Sequence, residues 1–330
     1  MREDTFCWGI VGTGRIATIF AEDIQQEPGM EVTAVVSRSR DRGHAFAQSQ
    51  RLRATVTDSI NALTSSGNID AIYIATPHSD HLPATMAALQ SEYPVLCEKP
   101  MGLNVAQVTA LADLAQKRGV FLMEAMWSRF LPAMNAFMTL LRQGAIGEPR
   151  ALFADFGIDV PLAPDSRLFN PALGGGALLD VGVYTIALAH KALGRPTNVY
   201  GRARWTETGV DGHSAYTLAY GSGAVAQLFG ALELNTPQQA VLCGTQGRLT
   251  LQAPFFRPEC VSLTRNNGET NHQYHPVTGN GYGHEAREVA DMVRRGRKEH
   301  PTMPLAESVA IAATMDELRT QWALQYPDEP

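Results

Sequence analysis

The sequence predicts an α/β protein in two parts. Residues 1–125 read as a doubly wound parallel sheet, and residues 126–330 as an α+β domain with a large, mostly antiparallel open sheet. Three observations carry this prediction. At 330 residues the chain exceeds the roughly 250–300 at which one hydrophobic core stops growing. The first 125 residues alternate short apolar runs with helix-length amphipathic segments, the order of a sheet wound with helices. From about residue 150 the texture changes to long strand-like runs joined by Gly- and Asn-containing turns.

In the first part, strands are expected at 6–11, 31–37, 54–56, 71–75, 95–97 and 120–124, with helices at 15–25, 40–50, 59–65, 81–90 and 105–118. The second part offers strands at 150–158, 198–206, 213–220 and 224–234, then helices at 285–294 and 305–325. The run 224–234 is apolar on both pleat faces, so both faces of its sheet are expected to be covered, one of them by a subunit partner. His272 and His275 fall among Asn266, Asn267 and Asn271, a polar stretch that reads as a loop or hairpin.

Composition excludes several classes. With 45% hydrophobic and 18% charged residues the chain is an ordinary globular one, and a net charge of −6 argues against nucleic acid or an anionic membrane as partner. No run is read as approaching the roughly 18 apolar residues of a membrane helix. Cys7, Cys97, Cys243 and Cys260 lack C-x-x-C spacing and lie mostly in apolar stretches, which fits a reduced cytoplasm. The start, Met1-Arg2-Glu3-Asp4, leads directly into a strand too short for a signal h-region.

The first chemical signal is Gly12-Thr13-Gly14-Arg15-Ile16-Ala17. A G-x-G-x-x-A pattern gains meaning here because it follows an apolar strand, opens an amphipathic helix and precedes a second strand within about 30 residues. The glycines let the backbone approach a pyrophosphate, and the helix start offers free N–H groups and positive dipole. This is a Rossmann dinucleotide fingerprint. After the second strand, where an acid would hold the ribose 2′-hydroxyl of NAD, stand Ser37 and Arg38, with Arg42 close behind. A hydroxyl and guanidinium groups suit a 2′-phosphate, so NADP is expected rather than NAD. The competing reading makes these arginines a solvated loop.

The set Gly12 to Ala17, Ala75-Thr76-Pro77-His78 with His81, Glu98-Lys99-Pro100, Glu124-Ala125-Met126-Trp127-Ser128-Arg129-Phe130 and Gly174-Gly175-Gly176-Ala177-Leu178-Leu179-Asp180-Val181-Gly182-Val183-Tyr184 covers most of the chain. In this order it resembles the glucose-fructose oxidoreductase / inositol dehydrogenase (Gfo/Idh/MocA) family, in particular its dimeric dihydrodiol dehydrogenase and NADP-linked D-xylose dehydrogenase branch. The resemblance implies an NADP-dependent dehydrogenase acting on a CH–OH group of a sugar, cyclic polyol or trans-dihydrodiol. It adds Thr76, Pro77, His81, Glu98 and Lys99 to the cofactor contacts, with His81 structural or cofactor-adjacent, and implies a cis Lys99-Pro100 bond and a homodimer or higher homo-oligomer.

Lys99 follows the strand 95–97, at the carboxyl end of the sheet where doubly wound folds place ligands. An ammonium there can stabilise an alkoxide and lower the pKa of a neighbouring acid. Asp180 and Tyr184 are spaced i, i+4 and are expected on one helix face. The family commonly has His at the second of these positions and the branch resembled here has Tyr, which makes a phenol the proton donor or acceptor, assisted by Lys99. Tyr184 also reads as a core aromatic, and Asp180 as a helix-start acid. Trp127, Arg129 and Phe156 are candidate substrate walls or packing residues. Two rival functions remain open: a glycosidase that retains NAD(P) for transient oxidation and elimination, and a non-catalytic NADP(H)-sensing protein. His78 and His81 complete no zinc signature, so no metal is expected.

Overall fold

The computed structural model describes residues 5–65, 69–327 and 329, and the lead-in at 1–4 lies outside them. The first sheet consists of β1 (Phe6–Val11), β2 (Met30–Val36), β3 (Thr55–Thr57), β4 (Ala71–Ile74), β5 (Val95–Glu98) and β6 (Leu122–Ala125). All neighbours are parallel, in the order β3-β2-β1-β4-β5-β6. The order reverses between β1 and β4, which is where such sheets open a ligand crevice at their carboxyl ends. Strands β1, β4, β5 and β6 are buried along their whole length, which explains their unbroken apolar runs. The crossovers are α1 (Arg15–Ile24), α2 (Arg40–Ser49), α3 (His81–Gln90) and α4 (Val105–Arg118). The helix expected at 59–65 is only a 3₁₀ turn, Asn61–Ser65, whose start is held by the Ala62 N–H donating to Ser59 Oγ at 3.4 Å.

The rest of the chain contributes α5 (Pro132–Arg142), β7 (Pro149–Gly157), α6 (Val183–Leu193), β8 (Asn198–Trp205), β9 (Asp211–Ala219), β10 (Val225–Ala231), β11 (Ala240–Gly244), β12 (Gly247–Leu251), β13 (Cys260–Arg265), β14 (Thr270–Tyr274), α7 (Tyr282–Arg294) and α8 (Leu305–Trp322). Eight strands pair in the order β14-β13-β12-β11-β7-β10-β9-β8. Every pair is antiparallel except β7 with β10. Four of these strands, β11 to β14, were not read from sequence, because runs of five or six mixed residues carry little periodicity, and the amphipathic helix α5 was passed over. The polar stretch with His272 is the β13–β14 hairpin. On β10, Ala226, Leu228 and Gly230 are buried on the side of α6, whereas Val225 and Phe229 are half-buried and Gln227 is exposed, so this chain covers only one of the two faces expected to be covered.

Two compact units result: Met1–Gly102 with Ala106–Trp127 and Thr278–Ser308, and Leu103–Val105 with Ser128–Val277 and Val309–Pro330. Helix α7 therefore belongs with the parallel sheet, whereas the division at residue 125 had placed it in the second domain. The cause is a long-range cap. Buried Asp23 of α1 accepts the backbone N–H groups of Asn280 (2.8 Å), Tyr282 (2.7 Å) and Gly283 (3.3 Å), and Glu27 pairs with Arg287. A capping acid more than 250 residues away leaves no local signal in the sequence.

One sequence expectation is corrected here. The stretch Pro171–Leu193 is long and apolar enough to cross a membrane, although no such run was read. It is a core helix, with 89% of its most apolar window buried inside the protein.

Candidate active site

In the first unit, Gly12 closes β1 with φ +111°, and a Cβ there would lie 2.4 Å from the Ala75 carbonyl oxygen, so only glycine fits. Gly14 is different: a Cβ on it would meet nothing within 4 Å among the described residues. Helix α1 starts there without a side-chain cap and with no acid in its first turn. The first-turn N–H groups of a helix have no partner within it, so this uncapped start with its positive dipole suits a pyrophosphate.

Ser37 follows β2, buried, with its N–H donated to the Thr57 carbonyl at 3.0 Å. Arg38 is 78% exposed and 3.5 Å from Asp80, a surface ion pair of little strength that a phosphate can replace. Arg42, in the first turn of α2, is exposed, and its N–H is capped by Ser39. Beyond β4, the Thr76 hydroxyl is buried and has no hydrogen-bond partner among the described residues, a polar group left for a ligand beside Pro77. The residues present therefore fit a dinucleotide.

Lys99 sits in a turn whose backbone is clamped. Its N–H donates to Glu98 Oε2 at 3.2 Å, the Met101 N–H donates to Glu124 Oε1 at 3.0 Å, and the Pro100 carbonyl lies 2.7 Å from His81 Nδ1. His81 Nε2 reaches the Thr76 carbonyl at 3.0 Å. The His81 ring is fully buried, and this burial pulls its pKa down to about 4 against the pull of the two carbonyls. Fully buried, His81 braces the turn at Pro100 against the turn at Thr76. Glu98 is likewise buried, with Oε1 accepting the Tyr73 phenol at 2.5 Å. Burial, and then the Glu98 charge, push the Tyr73 phenol well up, so it stays a donor. The Lys99-Pro100 bond is cis. Trp127 is buried and stacks on Tyr282 of α7 at 4.7 Å.

In the second unit, a 3₁₀ turn (Pro171–Leu173) and three glycines lead into a π turn, Leu178–Gly182, that runs into α6. A π turn is rare and recurs at functional sites. Its cause is visible here. Gly182 lies against Gly230 of β10, where a Cβ would stand 3.2 Å from Gly182 Cα, and the Gly182 carbonyl is met by Thr185 Oγ1 (2.8 Å) and Tyr216 Oη (3.2 Å). Buried Asp180 has Arg167 Nη1 at 2.7 Å from its Oδ1. Tyr184, also buried, packs its ring 5.4 Å from Phe156 and 5.8 Å from Phe256, and these two phenylalanines stack at 3.9 Å, 6° from parallel. Arg129 is buried and donates to the Ala187 carbonyl of α6 at 2.8 Å, which makes it a buttress of the helix.

Sequence reading missed Tyr73, Glu124, Arg167 and Phe256. Tyr73 and Glu124 lie within apolar strands and read as core, and Arg167 lies in an aperiodic loop. The Phe255-Phe256 pair beside Pro254 was a visible signal for a binding wall.

Residues 6–126 match the model of the oxidoreductase family with an NAD-binding Rossmann fold, and residues 134–250 that of the GFO/IDH/MocA C-terminal domain. Trans-1,2-dihydrobenzene-1,2-diol dehydrogenase of Mus musculus is 36% identical over 98% of both chains, and that of Homo sapiens 33% over the same shares. Among solved structures, a 3-ketoreductase from Actinomadura kijaniata in complex with NADP and TDP-benzene superposes with TM-score 0.85 at 28% identity, covering 96% of this chain and 97% of that one. The fold also matches that of an aldose-aldose oxidoreductase from Caulobacter crescentus, with TM-score 0.85 at 23% identity over 96% of this chain and 98% of that one. Fingerprint, sheet order and second-domain architecture agree with these matches, and the chain belongs to the Gfo/Idh/MocA family of NAD(P)-dependent oxidoreductases.

Proposed function

We propose that the protein is an NADP-dependent dehydrogenase that oxidises a ring carbinol, with a cyclic trans-dihydrodiol as the substrate class the residues favour over a sugar or aliphatic polyol. The observation that carries this reading is the aromatic wall around Tyr184: Phe156 and Phe256 stacked at 3.9 Å beside a buried phenol. Parallel apolar rings suit the flat face of an unsaturated ring, and a phenol at their edge suits a hydroxyl on that ring. The full-length likeness to dihydrodiol dehydrogenases supports the same choice.

The bound dinucleotide supplies the hydride chemistry. Tyr184 Oη accepts the hydroxyl proton of the substrate as the carbon is oxidised, and returns it in the reverse direction. The Lys99 ammonium lowers the pKa of the phenol and holds the substrate oxygen. Asp180, paired with Arg167, orients substrate hydroxyls. Ser37, Arg38 and Arg42 favour NADP over NAD, a choice supported by the ketoreductase crystallised with NADP. Gly12, Thr13, Gly14, Arg15 and Ile16 hold the pyrophosphate.

The enzyme works as a homodimer or higher homo-oligomer through the open face of its second sheet. Register places Phe153, Gln227, Thr217 and Tyr200 in one row on that face, and Phe153 and Tyr200 are 49% and 59% exposed. Four cysteines outside any disulfide, three of them buried, suit a cytoplasmic enzyme.

The test is a panel of trans-dihydrodiols, aldoses and polyols with NADP and NAD side by side, read at the nicotinamide absorbance band. Net reduction of NADP in proportion to diol consumed is the expected result. Turnover of a glycoside with no net change in that band would establish the retained-cofactor glycosidase instead, and cofactor binding with no turnover would establish a sensor.

A further inference from the structure

Eight residues before Tyr184, the chain passes through a turn held by side chains from distant parts of the second unit. The Tyr326 phenol donates to the Gly175 carbonyl at 2.7 Å, and Asp211 Oδ2 accepts the Leu178 N–H at 2.7 Å. The Gly176 N–H donates to the Leu168 carbonyl at 2.8 Å. Glycine is required for these approaches: Gly176 has φ +119°, and a Cβ on it would stand 2.3 Å from Asp211 Oδ1 and 3.3 Å from Tyr326 Oη. The turn is thus shaped to receive Tyr326 and Asp211.

Tyr326 is itself locked. The guanidinium of Arg319, buried on α8, lies 4.7 Å over the Tyr326 ring and pairs with Glu329, whose carboxylate also accepts the Tyr326 N–H at 2.8 Å. The same guanidinium donates to the Leu103 carbonyl at 2.6 Å and to Asp316 Oδ1 at 3.1 Å. A buried cation on these three acceptors and a ring is a rigid anchor. Burial, and then the charge of Asp211, push the Tyr326 phenol well up, so it remains a donor at every working pH.

We propose that Tyr326, locked by Arg319, is a positioning residue that sets the reacting hydroxyl of Tyr184 by pinning the glycine turn from which its helix starts. This rests on Tyr184 being the acid/base. The π turn at Leu178–Gly182 follows directly, so its register, and with it the direction of Tyr184, depends on where the turn at 175–176 is fixed. Nothing in the chemistry requires Tyr326 to touch substrate.

The experiment compares Y326F, Y184F and, as a surface control, Y274F in the full chain, using hydrogen exchange over residues 174–186 and kinetics with the best substrate of the panel above. Y326F should speed exchange in that segment alone and lower kcat about five-fold, the worth of one hydrogen bond, with KM for NADP unchanged. If Y326F exchanges and turns over like Y274F while Y184F is inactive, the positioning role is refuted and the acid/base role stands. If Y326F lowers only the melting temperature and its folded fraction keeps full kcat, Tyr326 is merely structural and the proposal is likewise refuted. If Y184F keeps full turnover, the acid/base reading fails and this proposal with it. Should Y326F not fold, E329Q weakens the same anchor without touching the hydroxyl and carries the same two readouts.

Discussion

Tyr73 and Glu98 share a 2.5 Å hydrogen bond inside the parallel sheet, and the second oxygen of that carboxylate accepts the Lys99 N–H at 3.2 Å. A core tyrosine thereby sets the backbone of the candidate catalytic lysine. Y73F keeps the ring, which stacks on Phe20 at 3.8 Å, and removes one donor from a buried charge. The expected cost is about 1–3 kcal/mol in urea denaturation. A change near zero would mean that Glu98 does not depend on the phenol.

Arg167 is 54% exposed, yet its guanidinium stands 2.7 Å from buried Asp180. Removing that cation takes a charge-assisted hydrogen bond from the buried carboxylate proposed to orient the substrate. R167M should therefore raise KM for the substrate roughly ten-fold, the worth of one hydrogen bond to a charged group, and R167K should restore part of the loss. Steady-state kinetics checks this, and an unchanged KM in R167M would refute it.

Asp211 gives a pH-dependent stability of unusual sign. Burial raises its pKa from 3.8 to about 7 despite hydrogen bonds from Leu178 and Ser214 and the charge of Arg319. Its folded value lies above its unfolded one, so between these two values the folded state binds a proton that the unfolded state lacks. Stability from this group falls as pH rises through that window and is lost above about 7. In D211N this dependence disappears. Melting temperatures at about pH 5 and about pH 8 should show wild type gaining on D211N at the acidic end, and parallel curves would contradict the assignment.

The proposed preference for NADP over NAD rests chiefly on Arg38. R38D should weaken NADP binding roughly 10- to 100-fold, the worth of a charge-assisted hydrogen bond, and leave NAD binding nearly unchanged. Quenching of protein fluorescence by each dinucleotide measures both. Equal losses for the two would make Arg38 a general surface cation.

Much of the parallel sheet was legible because β1, β4 and β5 are short, largely apolar runs, the first of them closed by Gly12. The local motifs were legible too, since Gly12, Gly14, Lys99 and Tyr184 lie where short-range patterns place them. What stayed hidden was set over long distances. Asp23 caps a helix near residue 282, Tyr326 pins Gly175, and Arg167 meets Asp180 from a loop without periodicity. The π turn escaped because its causes, Gly230 and Tyr216, lie on strands more than 30 residues on. Arg129 read as either a substrate wall or a packing residue, because sequence does not say which carbonyl its guanidinium meets, here that of Ala187.

The role proposed for Tyr184 is to move the proton of an NADP-linked oxidation. Its most direct test is the initial rate of NADP reduction by trans-1,2-dihydrobenzene-1,2-diol in wild type and Y184F, with NADP affinity measured alongside. The expected result is a fall in kcat of about 10²- to 10⁴-fold in Y184F, the usual contribution of a general acid/base, at unchanged NADP affinity. Full turnover by Y184F would contradict it.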